Sequence, residues 1–195
     1  MITRFLTAAV AATCALTSAV AEPAHAADPR LDHPRVDQTR LDHTTPEPAR
    51  LSAAQRKVLI DATKRFTDVD EAIATGYLPT ELCTPGMGWH YLNPKLAAAP
   101  AIDPVWPEVL LYVPGPKNSI RLAGIEYFKA DADGNLTTDP DRPTLFGHPF
   151  DGPMTGHEVP AGAPPMPVHY DLHVWLYLTN PAGQLAPDNP RITCP

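Results

Sequence analysis

The segment His169-Tyr170-Asp171-Leu172-His173 sets two imidazoles and a carboxylate at alternate positions, and Trp175 and Tyr177 continue the same phase. The Val, Tyr and Trp content of this stretch favours a strand, in which side chains alternate between faces. Val168, Tyr170, Leu172, Val174, Leu176 and Leu178 then form one apolar face, and His169, Asp171, His173, Trp175 and Tyr177 form the other. A solvent face would carry Lys, Glu, Thr or Ser. Groups that bind metals or carry protons, running into aromatics, describe the wall of a pocket. On a straight strand His169 and His173 are about 13 Å apart at ~3.3 Å per residue, whereas neighbours two apart are separated by about 6.6 Å. Either the strand bends here, or one histidine ligates while the other supports it.

Other donors lie upstream. Gly86-Met87-Gly88-Trp89-His90-Tyr91 sets His90 among glycines and aromatics, and Glu126 shares one face of a second expected strand with Leu122, Gly124 and Phe128. A carboxylate there is costly to bury unless something satisfies it. The plainer alternatives are an exposed face or a salt bridge to Arg121 or Arg142. His148 and His157 occupy a loop rich in Gly and Pro and are secondary candidates. Methionine precedes histidine by three at Met87/His90, Met154/His157 and Met166/His169. Thioethers beside imidazoles suit copper, although so few methionines also allow coincidence. The expected metal set is His90, Glu126, His169, Asp171 and His173, a mixed N/O group suited to Zn, Fe, Mn or Cu. Asp131-Ala132-Asp133-Gly134-Asn135 has a misplaced glycine and Arg142 in place of the distal Glu of a calcium loop, so it reads as a turn. No Gly-x-Ser-x-Gly, phosphate-binding loop or dinucleotide fingerprint occurs.

These residues need a β framework. Ser52 is a helix N-cap candidate, with Val58, Leu59, Ala62 and Phe66 at helical spacing. A second short helix starts at Asp68 and stops at Gly76. From Pro79 prolines recur every few residues, which excludes long helices. Residues 108–113 and 120–128, joined by Pro114-Gly115-Pro116-Lys117-Asn118-Ser119, read as a hairpin. The expected fold is α+β and mainly β: an antiparallel β-barrel or sandwich preceded by a short helical pair. The expected limits are a signal peptide over 1–26, a flexible polar Pro-rich arm over 27–50, and one globular domain over 51–195. That domain holds helices over about 52–76 and the β-rich part over 77–195.

Export is expected from the order of three regions. Met1–Arg4 carries one positive charge, Phe5–Ala21 is uncharged and apolar or small, and Ala24-His25-Ala26 supplies small residues where a signal peptidase reads. The apolar stretch of about 17 residues, largely Ala and Thr, is short for a membrane span, and Cys14 lacks the flanks of a lipidation site. Removing 26 of 195 residues leaves a chain long enough for one core. A net charge of −7 without a Lys/Arg cluster argues against nucleic acid or an anionic membrane as partner. After export only Cys83 and Cys194 remain, an even pair in an oxidising compartment. Their disulfide would close a loop of about 110 residues; the rivals are two separate thiols or a thiolate ligand.

The runs Gly86-Met87-Gly88-Trp89-His90-Tyr91-Leu92-Asn93-Pro94, Ile125-Glu126-Tyr127-Phe128 and His169-Tyr170-Asp171-Leu172-His173-Val174-Trp175 resemble a family of exported bacterial proteins of uncharacterised function. The likeness continues through Asn180-Pro181-Ala182-Gly183 and Asp188-Asn189-Pro190 to Cys194 and spans roughly residues 68–194. It implies domain limits and no reaction. A looser likeness is to cupin barrels, whose ligands are His-x-His, a Glu and a distant His; here the spacing is His-x-Asp-x-His and the cupin glycine pattern is missing. Three functional classes follow. The first is an exported metal-binding protein, as an enzyme or otherwise. The second is a module binding a small molecule or carbohydrate on Trp89, Trp106, Trp175 and Tyr177. The third is an envelope interaction protein whose histidines satisfy buried hydrogen bonds.

Overall fold

A computed structural model describes residues 49–157, 159 and 164–195. The expected signal segment and residues 27–48 of the expected arm lie outside the described residues. Helix α1 spans Ala53–Thr63 and is started by Ser52, whose hydroxyl accepts from Gln55 N–H while the Gln55 side chain accepts from Ser52 N–H. A 3-10 turn follows at Lys64–Thr67, then α2 at Val69–Ala74, capped by Asp68. Leu59 and Phe66 bury their side chains, but Val58 is 46% exposed: of the expected helical stripe it points outward.

The strands are β1 (Leu78–Thr84), β2 (Gly88–Leu92), β3 (Val109–Pro114) and β4 (Ile120–Ala130), with the short helix α3 (Pro94–Ala97) between β2 and β3. They continue as β5 (Thr144–Leu145), β6 (His148–Pro149), β7 (Asp151–Met154) and β8 (His169–Val174). Six of them form one antiparallel sheet in the order β1-β2-β3-β4-β8-β7, and β5 and β6 form a small ribbon. The mainly β expectation holds in that form. The barrel does not: among the described strands β1 and β7 are free edges. Pro79 and Pro153 sit in those two strands, and a proline, lacking N–H, confines its strand to an edge.

Alternation along β3 separates two cores. Leu110 and Tyr112 join the helices, with Leu59, Phe66, Ile125, Leu172 and Val174. Val109, Leu111 and Val113 point to the other face, with Phe128, Trp175 and Ile192. A sheet that is apolar on both sides needs a cover on each rather than one enclosed interior. The helices supply the first. The C-terminal segment contributes to the second: Gly86 N–H donates to Ile192 C=O at 3.1 Å, and Asn189 N–H donates to Gly86 C=O at 2.8 Å. The Cys83–Cys194 disulfide, with Cα atoms 5.8 Å apart, fastens this segment to β1.

The hairpin is β3–β4, with an irregularity. Leu111 opposes Gly124 but Tyr112 opposes Leu122, so Ala123 is an extra residue in β4. A bulge of this kind shifts the alternation. Leu122 therefore packs on the helix side, not on the face of Glu126 and Phe128 where strict alternation puts it.

Candidate metal centre

Strand pairing brings the donors together. His90 on β2 opposes Leu111 on β3, and Leu111 opposes Gly124 on β4, two residues before Glu126. Glu126 opposes His173 on β8 directly. Three consecutive pairings thus place His90, Glu126 and His173 on one face, where each offers a ligand atom within 4.8 Å of the others. His90 Nε2 lies 3.3 Å from Glu126 Oε2, and His173 Nε2 lies 3.6 Å from the same oxygen. Ligand bonds of about 2.0–2.2 Å put two donors of one tetrahedral ion roughly 3.4 Å apart. The spacing fits.

The three side chains form a buried, charge-coupled cluster. Glu126 and His173 are almost fully buried, with side chains 3% and 1% exposed, whereas His90 is 15% exposed. Glu126 Oε2 and both ring nitrogens of His173 have no hydrogen-bond partner. The close approaches are therefore contacts between groups that are not aligned to hydrogen-bond one another. An unpaired buried polar atom costs ~1–3 kcal/mol, and two of them, Glu126 Oε2 and His173 Nε2, converge here. Burial pushes the Glu126 carboxyl up, but His173 and His90 outweigh it and hold the group below the usual carboxylate range. Burial pushes His173 down, while Glu126, then Asp171, raise it above the usual imidazole value. The Trp175 ring stacks near His173, at 6.2 Å and 22°, and is itself buried, with its indole N–H donated to Ala186 C=O at 2.7 Å.

The β8 donors divide. Asp171 Oδ1 lies 3.7 Å from His173 Nδ1, on the far side of the ring from Glu126. Asp171 Oδ2 lies 4.0 Å from His169 Nε2. His173 alone of the strand's two histidines joins the three-donor cluster, so of the expected five donors His169 and Asp171 stand outside it and the second of the two alternatives, one histidine clustered and the other not, is the one observed. Asp171 stands beside it, and His169 lies beyond, against Phe128 and His157 at ring distances of 5.1 and 5.2 Å. His148 belongs to the β5–β6 ribbon, opposite Leu145, and is not one of the three clustered donors.

The expected aromatic platform is dispersed. β8 ends at Val174; Tyr177 N–H and Leu178 N–H both turn to Ala123 C=O. Tyr177 consequently packs on the helix side, with its hydroxyl 2.8 Å from Thr63 Oγ1, instead of following Trp175. Trp106 also lies on the helix side, under the Arg65 guanidinium. Trp89 is half-buried in β2 opposite Tyr112.

Sequence reasoning passed over Glu108. It is 2% exposed, accepts from Phe128 N–H at 3.2 Å, and is raised by burial to about 7. It borders a groove of about 660 Å³ that Leu96, Ile102 and Trp106 also line and that contains none of the three clustered donors. Its signal was an acid at the very start of the apolar run Val109–Val113.

No family model matches this chain, and neither does any curated protein or solved structure.

Proposed function

We propose that this chain is an exported metal-binding protein whose His90, Glu126 and His173 hold one divalent transition metal, with Asp171 orienting His173. The observation that carries this reading is the convergence of two buried, unpartnered atoms, Glu126 Oε2 and His173 Nε2, beside His90. Two imidazoles and one carboxylate are the protein donors of one class of catalytic zinc centre and of mononuclear non-haem iron. Zn and Fe therefore lead the four metals that the donor types allow. Three protein donors leave at least one coordination position for water or a small ligand, and the partly exposed His90 is the donor closest to solvent. A metal there would supply Lewis acidity. The chain's own contribution is to fix the donors, shield His173 with Trp175, and hold the His173 Nδ1 proton toward Asp171 Oδ1.

Export, and membership of the family carrying the Gly86–Pro94 and His169–Trp175 motifs, belong to the same reading. The disulfide supports an oxidising compartment, and no helix among the described residues is long and apolar enough to cross a membrane. The test is elemental analysis of untagged protein purified from its native compartment, beside His173→Ala. About one metal per chain in the wild type, lost in the variant, is expected. Full occupancy in His173→Ala, with only its stability lowered, would make His173 a structural histidine.

A further inference from the structure

We infer that His169, Asp171 and His157 form a second cation site, adjoining the first and joined to it through the Asp171 carboxylate. This rests on reading His90, Glu126 and His173 as a metal centre.

His169 is held by the backbone on one side of its ring and faces a carboxylate on the other. Its Nδ1 lies 3.0 Å from the Pro167 carbonyl oxygen. A carbonyl only accepts, so Nδ1 carries the proton, and in the neutral ring Nε2 is left with a bare lone pair. That nitrogen is buried in a side chain with 0% exposure, has no hydrogen-bond partner, and faces Asp171 Oδ2 at 4.0 Å. A lone pair opposite a carboxylate oxygen, away from water, is repulsive unless a cation lies between them. Ligand bonds of about 2.0–2.2 Å put two tetrahedral donors roughly 3.4 Å apart, so the two groups need close by only about half an ångström to hold an ion. Donation of the second ring N–H to a backbone carbonyl is how metal-ligating histidines are normally held.

Asp171 is built for two neighbours. One oxygen faces His173 Nδ1 and the other faces His169 Nε2, and Oδ1 has no hydrogen-bond partner. Its carboxylate can orient the ligand of the first ion while itself ligating the second. His157, on the exposed segment after β7, is the candidate third donor, its ring edge-on to His169 at 5.2 Å. The approach depends on Gly156, where a Cβ would lie 2.0 Å from Met166 C=O, and on His157 N–H, which donates to Met166 Sδ at 3.4 Å. Gly156 and His157 are thereby held against Met166, three residues before His169. The first site has all three donors within 4.8 Å of one another and the second does not: two of its donors are set by β8, and the His157 ring must turn inward to become the third. The competing account is a protonated His169 paired with Asp171, which needs no ion.

The two accounts differ in stoichiometry. Metal-free full-length protein is titrated with Zn(II) at pH 8, and bound metal is counted by native mass spectrometry with calorimetry for affinity. Two equivalents are expected in the wild type, one in His169→Gln, and one in His90→Gln. In His157→Ala, a change on an exposed segment that leaves the core intact, the second equivalent is expected to bind roughly tenfold or more weakly. A wild type that saturates at one equivalent, with that one lost in His173→Ala, would overturn the second site and leave the first standing. Two equivalents retained at full affinity in both His169→Gln and His157→Ala would also overturn it. A wild type that binds no Zn(II) would overturn both readings.

Discussion

Replacing Glu126 by Gln keeps the shape of the side chain and removes the one formal charge that can neutralise a metal held between His90 and His173. Ligand linkage gives the size of the effect. A metal at about 100 times its Kd stabilises the folded chain by ~2.7 kcal/mol. For a domain of this size that corresponds to a rise of about 5–10 °C in Tm. The assay is thermal unfolding at pH 8, with chelated protein compared with protein in excess Zn(II). The wild type should show that rise, and Glu126→Gln should lose most of it. The metal-free proteins provide a second check. The raised pKa of His173 makes its charged form stabilising below the ordinary imidazole value of about 6.5, and that contribution disappears as pH rises through the folded value. The lowered pKa of Glu126 makes its contribution present above the ordinary carboxyl value of about 4.5 and lost as pH falls. The pair therefore stabilises metal-free protein most between about pH 4.5 and 6.5, and Glu126→Gln should be weakest relative to wild type in that window. An equal rise in Tm with Zn(II) for wild type and Glu126→Gln would refute the assignment of Glu126 as ligand.

Glu108, raised by burial to about 7, favours the folded state when protonated and weakens it as pH rises from about 4.5 through 7. Glu108→Gln should therefore raise stability at pH 8, by on the order of 3 kcal/mol at most, and leave it near wild type at pH 4; denaturant unfolding at the two pH values measures this. Thiol titration of the denatured, unreduced protein should find neither Cys83 nor Cys194 free, and replacing both with Ala should cost about 4–5 kcal/mol by the chain-entropy argument for so long a loop. Gly124→Ala should destabilise by about 1–3 kcal/mol, because a Cβ there would lie 2.9 Å from Val174 C=O and 3.1 Å from the Trp175 ring, forcing β8 away from β4. Metal affinity should fall with it, since Glu126 and His173 pair across that seam.

Period and residue type alone located much of this protein. The alternation through 168–174 placed His169, Asp171 and His173 together on one face, the distance along a strand left open whether both histidines or one would reach the cluster, and Ser52 marked the start of α1. The cysteine count paired Cys83 with Cys194. Such signals are local, or depend on counting, and need no knowledge of neighbours. What the chain could not disclose was pairing between distant strands. His90 meets Glu126 only because β2, β3 and β4 are adjacent in one register, and 36 residues of sequence separate the two. The open sheet was equally hidden, since barrel and sheet share the same alternation and differ only in whether the edges at Pro79 and Pro153 meet. The bulge at Ala123 and the turn after Val174 moved Leu122 and Tyr177 to the helix side, because one inserted or unpaired residue reverses a period of two. Glu108 stayed unremarked for the same reason: an acid at a strand's start becomes unusual only once tertiary packing has closed over it, and burial, which sequence shows only as tendency, is decided by the whole fold.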